Sequence, residues 1–429
     1  MQPLREHTMT AHFRFVHCSD VHFDTPFRCA RDDVRARLAD ARRVAFRRLV
    51  SLCLNEEAHA LLVAGDLYDE ERLSFGSEDF LTEQIGRLTS AGIHVVVASG
   101  NHDPGSEDHR SARVAWPTER FHLLNEADPR TIEITDKDDK VVGIVVGAGH
   151  GDSHEKSNLA ASFPRVERHP PAVAILHASV IGAEDLDNHP KIANCSTEDF
   201  QRLGYRYWAL GHVHTRQQVG DKPEAHYPGS LIGHRAEETG ARGALVVSLP
   251  AVGSAQVDFR PLSPVRWETV VLDGLEGVTD RSALIARAVE AGRGVTGAAD
   301  ALPEQQWMLR FVLNGGCPAA DAFGAEGAFV ESSAELAARL GVLDAEFVVD
   351  DLTQPVEIDP HREQPHLLGI ALDMIPDLDG DQKLLLEMSP AELAGCVDTD
   401  ARGKRRYLRT LLEDIERVTA DSLLKETRA

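Results

Sequence analysis

Five short stretches of the chain carry side chains that can bind a metal ion or move a proton. They are Asp20 and His22 in DVH, Asp66 and Asp69 in GDLYD, Asn101, His102 and Asp103 in GNHD, His177 in ILHAS, and His212 and His214 in GHVH. Carboxylates, imidazoles and an amide, with no thiolate among them, suit a borderline or hard divalent ion such as manganese, iron or zinc. The donors are too many for one ion and enough for two. Asp20, His22, Asp66 and His214 would hold the first; Asp66, Asn101, His177 and His212 would hold the second, with Asp66 bridging. Two ions roughly 3.5–4 Å apart can bind a phosphodiester, activate a bridging water as nucleophile and stabilise charge on the phosphoryl oxygens. That is metal-assisted phosphoester hydrolysis. His102 sits beside a ligand without being needed as one, so it is a candidate to protonate the leaving oxygen or stabilise the transition state. Asp103 is a candidate to orient a neighbouring imidazole.

Residues so far apart in the chain meet only if the elements that carry them end at one place. FRFVHCS (13–19) reads as a short apolar strand running into Asp20, ALLVAG (60–65) as a second ending at Asp66, and VVVASG (95–100) as a third ending at Asn101. Between them, Val34, Leu38, Ala41, Ala45, Leu49 and Leu52 recur every three or four residues, as do Leu81, Ile85 and Leu88, which predicts two helices. Strands alternating with helices imply parallel pairing through right-handed crossovers, which brings the three strand ends to one sheet edge. AVAIL (172–176) then leads into His177, and RYWALG (206–211) into His212. Strand ends of an open α/β sheet are where ligands bind. Gly100 fits this picture, because a residue without a side chain lets the backbone turn sharply and bring neighbouring groups close.

Composition narrows the classes. A chain of 429 residues, 42% of them hydrophobic, suggests two or three globular domains. No apolar run is long enough to span a bilayer, and the first residues lack a signal-peptide pattern. A cytoplasmic protein with no membrane association is expected. The six cysteines are scattered without a C-x-x-C pair, so they read as reduced thiols. A formal charge of −24 argues against coating nucleic acid through bulk charge. A polyanionic substrate would need a local basic patch or metal ions.

Taken in order, DVH, GDLYD, GNHD, the His of ILHAS and GHVH resemble the signature of calcineurin-like metallophosphoesterases. Within that superfamily the chain is most similar to bacterial DNA-repair exonucleases of the SbcD and YhaO type. The segment YPGSLIGHRAEETGARGALVVSL (227–249) is similar to the one that follows their last His motif. The resemblance covers roughly residues 12–265. It implies an α/β fold, a β-sandwich flanked by helices, with two manganese ions. It also implies nuclease activity on DNA, exonucleolytic with single-strand endonuclease activity as a second expectation, and a coiled-coil SMC-like ATPase partner of the SbcC/YhaN type. A homodimer is among the assemblies expected. Asp69 stands where some relatives carry His, and is expected behind the ligands as a supporting carboxylate. Two other readings keep part of this. One is a phosphoesterase acting on nucleotides or phosphoproteins, although EER after GDLYD and Asp at 103 differ from serine/threonine protein phosphatases. The other is a non-catalytic scaffold, against which the intact ligand set counts.

The remaining chain divides at prolines 250, 261 and 264. The expected domains are a catalytic domain at 1–265, a small α+β capping domain at 266–355 and a helical partner-binding segment at 356–429. In the capping domain, strands are expected in ETVVLDG, QWMLRFVLNG and AEFVVDD, helices at about 280–291 and 331–340, and a loop at AGRGVTGAAD (291–300). In the tail, Leu408, Leu411, Ile415 and Val418 step along one helix face behind the basic block ARGKRRYLR; such a stripe either docks on its own chain or seeks a partner helix, and the resemblance points to the partner. Arg35, Arg42, Arg43, Arg47 and Arg48 could track a DNA backbone but are expected on a simple solvated helix face, and His17, His150, His154 and His189 as solvated or locally hydrogen-bonded residues.

Overall fold

The computed structural model describes residues 12–380 with short breaks at 29–30, 70–71, 106–113, 167–169, 187–188, 251, 324–326, 356–358 and 363, together with 415, 416 and 419. The chain divides into two compact units, 1–269 with 294–310 and 342–344, and 270–293 with 311–341 and 345–429. Most of the tail stripe at 408–418 lies outside the described residues.

In the first unit the strands are β1 (Phe13–Cys18), β2 (Ala60–Ala64), β3 (His94–Ala98), β4 (Phe121–Leu124), β5 (Arg130–Thr135), β6 (Val141–Gly147), β7 (Ala172–His177), β8 (Tyr207–Gly211), β9 (Gln217–Asp221), β10 (Glu224–Tyr227), β11 (Gly243–Leu249) and β12 (Gln256–Pro261). They form two six-stranded sheets, ordered β12-β11-β1-β2-β3-β4 and β5-β6-β7-β8-β10-β9. β1, β2, β3 and β4 pair in parallel in the first sheet, as do β6, β7 and β8 in the second. The metal-site strands are thus split between two sheets instead of sharing one.

The two sheets pack face to face, and the period-two alternation of the strands shows how. Phe13 and Phe15 of β1, Leu62 and Ala64 of β2 and Val96 of β3 enter a core with Val145, Val173, Ile175 and Tyr207 of the other sheet. The alternate residues Val16, Cys18, Leu61, Val63, Val95 and Val97 enter a second core. Its other side is supplied by α1 (Asp32–Asn55), through Ala45 and Leu49, and by α2 (Phe75–Ser90), through Leu81, Ile85 and Leu88. Residues buried on both faces explain why these strands read as unbroken apolar runs. A third core lies on the outer face of the second sheet, where α3 (Thr197–Gln201) brings Phe200 against Trp208. The result is a β-sandwich flanked by helices.

α1 serves two cores. Its second half packs on the first sheet, while Val34, Leu38 and Ala41 join Phe27, Ile232, Ala236 and Trp267. Arg42 therefore does not lie on a solvated face. It is only 4% exposed, donates to the Thr25 carbonyl at 2.8 Å and lies 4.8 Å over the Phe27 ring. Arg43 and Arg47 lie over Phe80, and Arg48 donates to the Leu262 carbonyl.

The later strands are β13 (Val265–Leu272), β14 (Gln306–Gly316) and β15 (Asp344–Thr353), in the order β13-β14-β15. The helices are α4 (Arg281–Thr296), α5 (Ala320–Phe323), α6 (Val330–Leu340), α7 (Asp359–Arg362) and α8 (Leu367–Gly380). The expected loop at 291–300 starts too early, because α4 continues to Thr296. Gly292 is helical for a packing reason: a Cβ there would lie 2.8 Å from Leu340 and 3.1 Å from the Phe311 ring.

His17 sits fully buried between the sheets, bonded to the Tyr207 hydroxyl and the Leu210 carbonyl, each at 3.1 Å. Burial, with a smaller repulsion from His226, lowers its pKa from 6.5 to about 3. The unfolded chain therefore takes up the proton first. The stability this neutral imidazole contributes is full above pH 6.5 and is lost as the pH falls toward about 3. At pH 5 the loss from this one group is about 2 kcal/mol. Urea denaturation at pH 7 and pH 5 should show that His17→Gln removes that share of the acid sensitivity. Equal sensitivity in both proteins would refute it.

Candidate metal centre

The chain leaves β1, β2 and β8 through backbone turns that few side chains adopt. Asp20, His22 and Asp66 each have φ of 52°, and His212 has φ of 107°. Such left-handed residues cost of order 1–3 kcal/mol each and persist only where the surroundings enforce them. Here the Asp20 amide donates to the Gly65 carbonyl at 3.1 Å, the His22 amide to the Asp66 carbonyl at 3.0 Å, and the His212 amide to the Asp20 carboxylate at 3.2 Å. Three loops are laced into one another before any ion is considered.

His177 ends β7, fully buried, with its Nδ1–H donating to the Ala64 carbonyl at 2.8 Å. That leaves Nε2 facing Asn101 Oδ1 at 3.2 Å and Asp66 Oδ2 at 3.4 Å. Burial opposes a charge on this imidazole, but the Asp66 charge and hydrogen bond outweigh burial and push its pKa up to about 9. On the other side of Asp66, His22 Nε2 lies 3.6 Å from Asp66 Oδ2 and 3.3 Å from His214 Nε2, while His214 Nε2 lies 3.7 Å from Asp20 Oδ1. His212 donates through Nε2–H to the Pro190 carbonyl at 2.8 Å, so its ligating atom would be Nδ1. Asp20, His22 and His214 group closely enough to hold one ion, as do Asp20, Asp66 and His177, and also His22, Asp66 and His102. Imidazole nitrogens facing each other and buried carboxylates is a donor set that divalent cations satisfy, so the residues fit the group. Asp66 Oδ2 thus faces both His22 and His177, while His212 joins none of the close donor groups among the described residues.

His102 is exposed at the mouth, its amide donating to Asp66 Oδ1 at 2.9 Å and its ring edge-on to His22 at 4.9 Å. Asp103 is buried, and among the described residues its hydrogen-bond partners are backbone amides and no imidazole: Gly100 at 2.6 Å, Leu67 at 2.7 Å and Asp66 at 3.1 Å. It orients the Asp66 peptide. Burial first, and then the Asp66 charge, raise its pKa, against the pull of the amides. Asp69 is buried at one side, near the Thr25 hydroxyl (3.4 Å) and Arg72 (3.5 Å), and joins none of the close donor groups among the described residues.

Three residues that the sequence reading left aside belong here. Glu238 is 5% exposed and accepts from His214 Nδ1 at 3.0 Å, which leaves His214 Nε2 free to ligate. Its second oxygen takes the His234 amide at 2.9 Å. The signal was the i, i+4 pair of His234 and Glu238 in the HRAEE run. His189 is locally bonded as expected, its amide donating to the Leu186 carbonyl at 3.1 Å and its Nε2 lying 3.6 Å from Asp185, but its ring also packs against His212 (5.3 Å) and His214 (5.0 Å). His150 is buried and donates to the His177 carbonyl at 2.7 Å, so of the four set-aside histidines only His154 is exposed and locally bonded. His22, Asp66, Asn101, His102, His212 and His214 open into a pocket of about 280 Å³ that His189, His234 and Glu238 also line.

Comparison with known proteins agrees with this geometry. The calcineurin-like phosphoesterase family matches residues 13–216. Over 273 residues the chain is 29% identical to "Uncharacterized metallophosphoesterase YhaO" of Bacillus subtilis, covering 62% of this chain and 65% of that one. Over 275 residues it is 26% identical to "DNA double-strand break repair protein Mre11" of Aeropyrum pernix, covering 61% and 64%. The chain thus spans just under two thirds of the length of these relatives. Among solved structures it is similar to a dimetal phosphatase from Danio rerio, at 11% identity and a TM-score of 0.35, covering 58% of this chain and 98% of that one. No helix among the described residues is long and apolar enough to cross a membrane. With residues of four motifs lining one pocket and His177 of the remaining motif buried against Asp66, residues 13–216 form a calcineurin-like phosphoesterase domain.

Proposed function

We propose that this phosphoester hydrolase is a two-metal DNA nuclease, exonucleolytic in the first instance, working in DNA repair with a coiled-coil SMC-like ATPase. The observation that carries the reading is the gathering of Asp20, His22, Asp66, His177 and His214 into close donor groups, of which His22, Asp66 and His214 line one pocket together with Asn101. Manganese ions held there would supply an activated water and neutralise charge on the phosphoryl oxygens. The chain does the rest. Asp103 holds the Asp66 peptide, Glu238 holds the His214 ring, and His102 stands exposed in the pocket wall, where a proton can be delivered to a leaving oxygen. DNA as substrate is supported by the similarity to an Mre11 repair protein. The partner is supported by α8, whose Leu367, Ile370 and Met374 are 67%, 56% and 56% exposed and spaced to share a face, as a docking helix requires. A phosphoesterase acting on nucleotides or phosphoproteins would use the same centre.

The deciding assay presents purified protein and manganese with labelled duplex DNA, single-stranded DNA and a chromogenic phosphodiester. Turnover of the small diester with both DNAs untouched would reject the nuclease reading. Asp66→Ala should abolish hydrolysis and lower bound metal together; a variant with two ions per chain and normal turnover would refute the bridging role. His102→Gln should keep its ions but lose about 100-fold to 10,000-fold in rate. Metal loss in parallel would instead make His102 a ligand. Glu238→Gln should weaken manganese binding by about 10-fold to 100-fold in calorimetric titration, with the circular dichroism spectrum unchanged. Wild-type affinity would show that His214 needs no such partner.

A further inference from the structure

The protein carries a net charge of −24, yet beyond its metal donors the pocket is lined by Arg28, His234 and Arg235. The one further carboxylate in the lining, Glu238, is committed to His214, to the His234 amide and to Arg235, which it pairs at 3.2 Å. Arg28 is exposed, and its guanidinium has no ion-pair or hydrogen-bond partner among the described residues. A lone exposed arginine is ordinarily just solvated, so its setting decides. The Arg28 amide donates to the His234 carbonyl at 2.9 Å, which joins the two arginine-bearing loops into one wall. Phe27, 5% exposed, anchors that wall with its ring 5.6 Å from His234 and under the Arg42 guanidinium. Trp267 fixes the other loop, its Nε1–H donating to the Gly233 carbonyl at 3.0 Å, with Ile232 and Ala236 in the core beside it. Both arginines are thus presented on a backbone that has little entropy left to lose on binding.

We propose that Arg28, with Arg235 beside it, is a subsite for a phosphate adjacent to the scissile one, which selects a polynucleotide strand over a single phosphoester. The proposal rests on the nuclease reading above and makes it more specific. In a protein that repels polyanions overall, a guanidinium fork at the pocket rim offers a backbone phosphate charge-assisted hydrogen bonds that a small ester cannot reach.

The test measures kcat and KM, with manganese, for a labelled single-stranded oligonucleotide and for bis(p-nitrophenyl) phosphate. The proteins are wild type and the Arg28→Ala, Arg28→Glu, Arg28→Lys and Arg235→Ala variants. Arg28→Ala should raise the ratio of oligonucleotide KM to small-diester KM about tenfold. It should also flatten the salt dependence of oligonucleotide cleavage by about 0.7 in the log–log slope, the amount for one single-strand phosphate contact. Arg28→Glu should raise the ratio further, Arg28→Lys should restore the slope, and Arg235→Ala should move the ratio in the same direction. An unchanged ratio and slope in both Arg28→Ala and Arg28→Glu would overturn the proposal, leaving Arg28 a solvated residue. Equal loss on both substrates would overturn it too, placing the effect in the metal centre. If wild type cleaves the small diester but not the oligonucleotide, the nuclease reading itself fails; if wild type cleaves both and the variants match it, only the subsite fails.

Discussion

The centre depends on how closely His177 is approached by three strand ends. A Cβ on Gly65 would lie 2.2 Å from His177 Nδ1; one on Gly100 would lie 2.3 Å from the Asp66 carboxylate and 2.9 Å from the imidazole; one on Gly211 would lie 1.7 Å from the Ala64 carbonyl that His177 donates to. No side chain fits at any of the three. The glycine before each of Asp66, Asn101 and His212 is therefore a packing requirement of one buried ring, and the two sheets can meet at this edge only because those positions are bare.

Around that ring the backbone gives up conformational comfort for position. Asp20, His22, Asp66 and His212 share unfavourable φ values, and each is held by a hydrogen bond or side chain from another loop. The cores on either side of the first sheet, rich in Val, Leu and Phe, supply the stability that tolerates this strain. Concentrating it at four metal-site residues orients the donors in advance of any ligand.

Much of this could be read from the sequence, because a strand buried on both faces and stopped by Gly–Asp or Gly–Asn is a strong local signal. Strand ends and the first helices were legible for that reason, and with them the gathering of Asp20, His22, Asp66, His177 and His214 into close donor groups. Their division between two sheets was not, since parallel pairing says which strands can be neighbours and not where a sheet closes. Arg42 and His17 were misread because burial of a polar side chain depends on what packs over it, here Phe27 in one case and Tyr207 of the facing sheet in the other. The extension of α4 through Gly292 was hidden for a similar reason: glycine reads as a helix breaker unless a neighbouring helix needs the room.

Asp103 has a consequence for motion. Its single carboxylate grips Gly100, Asp66 and Leu67, so the loop carrying the exposed His102 imidazole and the loop carrying the Asp66 carboxylate are tied to each other. A fluctuation that opens one opens the other, and the two behave as a single cooperative unit of local unfolding. Arrangements in which one of these loops keeps its native geometry while the other has strayed are thereby kept rare in the native ensemble.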